Sequence, residues 1–228
     1  MSIKENLEYI HNSIEEIALK NNRDISSIKL LAVSKTKPIE LLQEAYNEGQ
    51  RLFGENRVSE AEIKVPLLPK DAEFHLIGHL QSNKVKKACK YFKCIQSVDS
   101  LKIAKKIDKT CYEFNKVMDV YLDINIANDK NKTGFIVNDS FFTIFEELKE
   151  LKNINILGLM CIGAHVEDRD EISNSFKDLR MLLNTLKSKY PDFNGDKLSM
   201  GMSSDYFEAI KEGSTMVRIG SSIFGSRL

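Results

Sequence analysis

The chain has 228 residues, of which 42% are hydrophobic, so it is long enough to bury the core of one large domain or two small ones. Its 33 basic and 33 acidic residues cancel, which excludes a strong overall field toward nucleic acid or an anionic membrane. The N-terminal stretch lacks the apolar core of a signal peptide, because it contains the charged residues Lys4, Glu5 and Glu8. No later apolar run is long enough to span a bilayer. These features predict a cytoplasmic protein with a small-molecule partner.

Cysteine and histidine spacing does not indicate a metal site. The cysteines show no C-x-x-C pair, and the histidines are dispersed, so we predict reduced, packed thiols and no metal. The residues concerned are Cys89, Cys94, Cys111, Cys161, His11, His75, His79 and His165.

In chain order, the first predicted element is an amphipathic helix with apolar residues at helical spacing from Ile3 to Ile17. Short apolar segments then alternate with longer amphipathic ones, and the short segments predict strands. These predicted strands are 28–33, 52–54, 73–77, 94–98, 118–126, 156–160, 197–200 and 216–219. Helical patterns at 39–47, 101–114, 141–151 and 172–190 are long enough to return the chain for parallel pairing.

This alternation predicts an α/β fold, a single (β/α)8 TIM-type barrel over residues 1–228 with an extra N-terminal helix. An open doubly wound sheet is the rival. If that sheet bound a dinucleotide, its first turn would be rich in glycine, whereas the turn at 34–38 contains none. The barrel is favoured, and its chemistry is expected at the carboxyl ends of the strands.

Lys35 follows the first predicted strand, where a buried strand meets solvent. Burial in a cleft disfavours an ammonium ion, and Lys37 adds like-charge repulsion, so the free amine needed to attack an aldehyde becomes accessible. The alternative interpretation is an ordinary strand-end lysine that points into water. The same rim receives Asn56 after strand two, His79 after strand three and Met160 at the end of strand six.

Two glycine-serine corners close the chain and indicate an anion site. Ser203 and Ser204 follow strand seven and precede a helical pattern at 206–211, which Ser204 or Asp205 could cap. We expect the Asp205 carboxylate to turn back toward the helix and leave both serines facing a ligand.

Strand eight ends in Arg218, followed by Gly220 and Ser221. Each corner taken alone is an ordinary turn, but an amine, a phosphate cradle and a guanidinium on one rim suit pyridoxal 5′-phosphate (PLP). This cofactor carries an aldehyde, a phosphate and a ring nitrogen.

Five motifs give the chain a nearly end-to-end resemblance to the pyridoxal phosphate homeostasis proteins, whose barrel is similar to the N-terminal domain of alanine racemase. They are LLAVSKTKP (30–38), FGENR (53–57), HLIGHLQSNK (75–84), LSMGMSSD (198–205) and GSTMVRIG (213–220). The segment 159–165 departs from the Met-Ala-Ile-Pro-like sequence typical of that family, so the resemblance does not define the conformation of this loop.

The resemblance implies that Lys35 holds PLP as a Schiff base and that Arg218 faces the pyridine nitrogen. It also implies phosphate contacts from Ser203, Ser204, Gly220 and Ser221, and a ring lined by Asn56, His79 and Met160. The role implied is a carrier or buffer in vitamin B6 and amino-acid homeostasis that releases PLP to PLP-dependent apo-enzymes.

Two enzyme functions remain as alternatives. A PLP-dependent amino-acid racemase of low activity needs a second acid–base residue, which related racemases draw from a further domain and a partner subunit. This chain ends at Leu228, and Tyr206 is better explained as a packing residue. A guanidinium at position 218 cannot give a proton to the ring nitrogen, which weakens the cofactor as an electron sink. This disfavours decarboxylation and transamination but does not exclude slow racemisation, because the racemases that the chain resembles share this arrangement. The other alternative is a class I aldolase-like barrel in which Lys35 captures a sugar-phosphate carbonyl.

The run from Lys84 to Lys93 forms a basic helix face, which could meet RNA or an acidic partner. Lysine-rich surface helices are usually solvated, and no aromatic platform interleaves this one, so we predict no nucleic-acid binding. Without a racemase-type second domain, we predict a monomer.

Overall fold

The structure, a computed structural model, describes residues 2–127, 129, 133–163 and 168–225. Within these ranges, eight parallel strands pair in chain order and close into a barrel, because β1 pairs with both β2 and β8. The strands are β1 (Lys29–Val33), β2 (Leu52–Glu55), β3 (Glu73–Leu76), β4 (Cys94–Val98), β5 (Met118–Asp123), β6 (Ile154–Met160), β7 (Lys197–Ser199) and β8 (Met216–Ile219). The predicted (β/α)8 barrel is therefore confirmed.

Helices follow the strands around the outside of the barrel. They are α1 (Ile3–Lys20), α2 (Ile39–Asn47), α3 (Val58–Lys64), α4 (Val85–Tyr91), α5 (Leu101–Glu113), α6 (Asp139–Lys149), α7 (Arg169–Lys189), α8 (Tyr206–Lys211) and α9 (Ser221–Phe224). Short 3₁₀ turns occupy Ile25–Ser27, Val65–Leu67 and Ser82–Lys84. The sequence pattern did not predict α3 or α9, because seven and four residues are too few to show helical periodicity.

The extra N-terminal helix is present and begins at a reciprocal cap. Ser2 Oγ accepts from the Glu5 backbone N–H, while the Glu5 carboxylate accepts from the Ser2 N–H. The helix buries Leu7 and Ile10. Its Asn6 side chain donates to the Ile223 carbonyl at 2.9 Å, so α1 is tied to α9 at the end of the chain.

Strand β5 is shorter than predicted. Its apolar pattern runs on to residue 126, but the Ile124 N–H makes the last hydrogen bond to β6, to the Met160 carbonyl at 2.8 Å. Ile124 otherwise forms an isolated bridge with Phe135, whose N–H donates to the Asp123 carbonyl at 2.8 Å, so the regular strand ends at Asp123. The predicted strand end at 126 is therefore wrong by three residues.

Within the described ranges, no helix combines the length and the apolar character that crossing a bilayer requires. No group of three His, Cys, Asp or Glu side chains in these ranges is arranged to hold a metal ion, and His165 lies outside them.

Candidate functional site

Lys35 lies in a tight turn directly after β1. The Ser34 N–H donates to the Gly54 carbonyl at 2.9 Å, which continues the pairing of β1 with β2 by one residue. The Lys37 N–H then donates to the Ser34 carbonyl at 3.1 Å and closes the turn around Lys35. Thr36 has a φ of +60°, a left-handed conformation that residues other than glycine seldom adopt. The lysine is half-buried.

A cavity of about 500 Å³ opens beside this lysine at the carboxyl ends of β1, β7 and β8. Its volume is typical of small-molecule sites. It is lined by Val33, Lys35, Thr36, Lys37, Ile77, Met202, Ser203, Ser204, Arg218, Gly220, Ser221 and Gly225. The structure thus brings six of the nine predicted site residues into one cavity: Lys35, Ser203, Ser204, Arg218, Gly220 and Ser221.

The two glycine-serine corners meet at this cavity. Ser203 Oγ and Ser221 Oγ lie 3.3 Å apart, although 18 positions separate them in the chain. Gly201 begins the first corner with a φ of +95°, a conformation that favours glycine. The serines of both corners therefore line one cavity.

The expected cap of α8 is wrong. Asp205 occupies the N-cap position, but its side chain makes no capping hydrogen bond to the helix. Its Oδ1 accepts from the Met202 N–H at 2.5 Å, while the Asp205 N–H donates to the Met202 carbonyl at 3.1 Å. The carboxylate closes the preceding turn because the tight bend after Gly201 brings the Met202 N–H within its reach.

Gly220 permits a close approach between the last strand and the first. An added Cβ would lie 3.1 Å from the Val33 carbonyl oxygen and 3.2 Å from the Val33 Cβ, closer than ordinary van der Waals contact. On the far side of α9, Lys37 Nζ donates to the Phe224 and Gly225 carbonyls at 3.1 and 3.0 Å. The second corner is therefore held against the turn that carries Lys35.

Arg218 is 4% exposed and is fixed by hydrogen bonds inside the barrel. Its Nη1 donates to the Ser199 carbonyl at 2.6 Å and to Ser199 Oγ at 2.8 Å, and its Nη2 donates to the Cys161 carbonyl at 2.8 Å. Burial lowers the pKa of Arg218, but a guanidinium stays protonated in proteins. The site therefore contains a permanent, oriented positive charge.

A buried hydrogen-bond chain extends inward from Arg218. Ser199 Oγ donates to Gln96 Oε1 at 2.6 Å, and Gln96 Nε2 lies 2.8 Å from His75 Nδ1. Burial, together with the charge of Lys29, lowers the pKa of His75 to about 3, so this imidazole is neutral and its Nδ1 accepts from Gln96. Each member of the chain thus donates to the next, from Arg218 inward to His75.

Three predicted site residues lie elsewhere among the described residues. The backbone of Asn56 packs so closely against Gly78 that a Cβ added there would collide with the Asn56 carbonyl oxygen. His79 is exposed, and its Nδ1 lies 2.8 Å from Asp99 Oδ2. Met160 is 1% exposed and packs with Cys94 and Tyr121 in the barrel interior. None of these three residues is among the described residues that line the cavity. Their roles toward a ligand stay predictions.

An acidic group that the sequence did not predict lies near Arg218. Asp123 ends β5 and is 7% exposed. Burial raises the pKa of Asp123 to about 7; the charge of Arg218 opposes this rise, and that of Asp99 adds to it. The sequence contained one signal for it: Asp123 interrupts the apolar pattern of the predicted strand 118–126. The predicted strand nevertheless continued past this aspartate to residue 126.

A largely buried cluster beside Lys35, formed by Glu55, Glu60 and Lys64, was not predicted either. Lys64 Nζ donates to Glu55 Oε1 at 2.7 Å and to Glu60 Oε2 at 2.9 Å. Burial raises the pKa of Glu55 to about 7, against the opposing effects of Lys64 and Ser34. The i, i+4 spacing of Glu60 and Lys64 was a visible signal, but such pairs are usually exposed.

Tyr206 does not line the cavity. Its hydroxyl lies 2.8 Å from Ser13 Oγ of α1, and its ring is half-buried against the core. This contact fits the interpretation of Tyr206 as a packing residue of α8.

Similarity to known proteins defines the class of this barrel. Residues 6–228 match the family model described as alanine racemase, N-terminal domain. The solved alanine racemase of Clostridium difficile 630 has a TM-score of 0.74 at 17% identity, with 97% of this chain and 57% of that chain covered, which is a likeness in fold alone. The barrel is therefore of the alanine racemase N-terminal type.

Relatives that are similar over their full length define the family. The pyridoxal phosphate homeostasis protein of Pasteurella multocida (strain Pm70) is 38% identical, with 100% of this chain and 98% of that protein covered. The protein of the same name from Haemophilus influenzae is 39% identical, with 100% and 97% covered. The structure of PipY from Synechococcus elongatus PCC7942, with PLP bound, has a TM-score of 0.86 at 35% identity and covers 98% of this chain and 100% of that one. This chain belongs to the pyridoxal phosphate homeostasis protein family.

Proposed function

We propose that this chain binds PLP in the cavity beside Lys35 and acts in cytoplasmic PLP and amino-acid homeostasis as a carrier or buffer without strong catalysis. The observation that carries the proposal is the meeting of a half-buried amine with two glycine-serine corners in one cavity. The names of the relatives and the PLP bound in PipY support the same ligand.

Each end of the cavity suits one end of PLP. Lys35 provides the amine for a Schiff base with the aldehyde. Ser203, Ser204 and Ser221, with the backbone beside Gly220, provide donors for the phosphate. Arg218 provides a donor for the ring nitrogen, because its bonds to Ser199 and Cys161 use only part of its five N–H groups.

The charge of Arg218 favours storage over catalysis. Bound PLP supplies an electron sink for carbanion chemistry, and that sink is strongest when an acidic partner protonates the ring nitrogen. Arg218 has no proton to give, and its hydrogen bonds to Ser199 and Cys161 hold it in place. The residues of this site therefore bind and orient the cofactor more readily than they promote decarboxylation or transamination.

Absorption spectroscopy and chemical trapping test the proposal. We expect the purified protein to show visible absorption that borohydride bleaches, since reduction converts the Schiff base to a stable secondary amine. Peptide mapping after reduction should place the adduct on Lys35 and not on Lys37, which lines the same cavity.

The variant Lys35→Ala should lose the visible band, whereas Lys86→Ala, which removes an exposed amine from α4, should keep it. A wild-type protein that stays colourless with added PLP would contradict the proposal. Borohydride trapping of a sugar phosphate on Lys35 in such a protein would support the aldolase alternative instead.

A further inference from the structure

Lys64 lies almost buried at the end of α3 with its ammonium enclosed by acceptors. Its side chain is 9% exposed, while those of its partners Glu55 and Glu60 are 0% and 20% exposed. Besides the two carboxylates, Lys64 Nζ donates to the Ser34 carbonyl at 2.8 Å. Its three donors therefore have three acceptors, which come from α3, the end of β2 and the residue before Lys35.

This cluster contacts both chain neighbours of Lys35. On one side, the Ser34 carbonyl accepts from Lys64, and Ser34 Oγ donates to Glu55 Oε1 at 2.7 Å. On the other side, the Thr36 N–H donates to Glu60 Oε2 at 2.7 Å. The same Glu60 oxygen accepts from Lys64, so one network ties the two flanks of Lys35 together.

The turn needs such support because Thr36 adopts a left-handed conformation. A non-glycine residue in this region is strained, so it persists only where the surroundings fix it. The hydrogen bond from the Thr36 N–H to Glu60 is directed at this residue. Without that acceptor, we expect the Thr36 backbone to leave its left-handed conformation, and the direction of the Lys35 side chain to change as a result.

Stability alone gives little reason for this cluster. Burying an ion pair costs desolvation that its attraction often fails to recover, and apolar side chains of similar size are frequently as stable. One atom, Glu55 Oε2, is buried without a hydrogen-bond partner among the described residues. A network with such a cost suggests a role in geometry.

We propose that Glu55, Glu60 and Lys64 are positioning residues that fix the Ser34–Lys35–Thr36 backbone and thereby determine how long Lys35 retains its ligand. This inference rests on the proposed function, since the ligand concerned is PLP. The three side chains are not among the described residues that line the cavity, so they act through the turn.

The sharpest test compares two glutamates of the same helix. Glu60→Ala removes the acceptor of the Thr36 N–H, whereas the control Glu62→Ala removes the partner of Lys87 in an exposed ion pair. With PLP-loaded protein and excess phosphatase to hydrolyse released PLP, we expect release from Glu60→Ala to be about tenfold faster than from wild type, the effect of one charged hydrogen bond. Glu62→Ala should release at the wild-type rate.

Conservative replacement separates positioning from general stability. Glu60→Gln keeps a carbonyl acceptor for the Thr36 N–H, so its release rate should return to within about threefold of wild type. Thermal unfolding of the same samples shows whether release follows global stability. Lys64→Met, which removes the bond to the Ser34 carbonyl, should also accelerate release.

Wild-type release from both Glu60→Ala and Lys64→Met would overturn the inference, and so would failure of both variants to fold, which would assign the cluster a structural role. A wild-type protein without bound PLP would contradict the proposed function instead. A coloured wild type with unaffected variants would contradict only this inference.

Discussion

His75 shows how burial decides the chemistry of a single side chain. It is one of four dispersed histidines and begins the motif HLIGHLQSNK (75–84), but the sequence assigned it no role. In the barrel it is 6% exposed, and burial lowers its pKa to about 3. It therefore accepts a hydrogen bond from Gln96 and ends the chain that begins at Arg218.

This residue gives a prediction on pH and stability. An unfolded imidazole titrates near pH 6.5, so the stability that depends on neutral His75 is complete above pH 6.5 and is lost as the pH falls toward 3. Between pH 7 and pH 5, we expect the free energy of unfolding to fall by about 2 kcal/mol more in wild type than in His75→Gln. Urea titrations at both pH values measure this difference.

Glu55 and Asp123 act in the opposite direction, because burial raises both pKa values to about 7. Their contribution is complete below the unfolded carboxyl range and is lost as the pH rises toward 7. The comparison with His75→Gln removes these shared contributions. An identical pH dependence in the two proteins would contradict the neutral, buried state of His75.

At the scale of elements, the two corners after β7 and β8 act as one unit. The sequence contains a glycine and serines at each corner, which predicted an anion site. The structure adds that Ser203 Oγ and Ser221 Oγ lie 3.3 Å apart. The cap of α8 could not be predicted from the sequence. Whether the Asp205 carboxylate accepts from a backbone N–H of the helix or from the Met202 N–H depends on the conformation of the bend after Gly201.

If these corners hold a phosphate, their hydroxyls should matter only for phosphorylated ligands. We expect Ser203→Ala and Ser221→Ala each to weaken PLP binding by about tenfold, while binding of unphosphorylated pyridoxal stays unchanged. Absorbance titrations with the two ligands measure both affinities. The control Ser188→Ala removes an exposed hydroxyl from α7. Equal losses for pyridoxal would show that the serines support the fold and not the phosphate.

At the scale of the whole molecule, closure of the barrel creates the site. Pairing of β1 with β8 places Leu31 opposite Arg218 and Ala32 opposite Ile219. Lys35 thereby lies beside residues almost two hundred positions later in the chain. An open sheet in which these strands were apart would contain the same motifs without one cavity.

The proposed carrier function predicts that the protein catalyses no efficient chemistry on amino acids. In heavy water, we expect PLP-loaded protein to incorporate deuterium at the alpha carbon of alanine no faster than free PLP at the same concentration. Proton NMR measures the exchange, with an alanine racemase as positive control. Turnover at rates common for enzymes, about 1–10³ s⁻¹, would favour the racemase alternative.

The predictions of one domain, a monomer and delivery to apo-enzymes concern this whole-molecule scale and stay predictions. Delivery can be separated from passive buffering by comparing PLP transfer to an apo-enzyme with free release into solution. Equal rates would mean that the protein acts as a buffer.

The sequence by itself determined the alternation of strands and helices, which favoured a barrel over an open sheet, and the position of Lys35 after the first strand, because these depend on local periodicity and on residues next to one another in the chain. Only the tertiary structure decided that Glu60 supports Thr36, that Gln96 faces His75, and that Asn56, His79 and Met160 lie outside the cavity lining as described. These contacts join segments far apart in sequence, and their geometry depends on how the closed barrel directs each side chain. Periodicity specifies which face of a strand is buried, but not which buried groups meet.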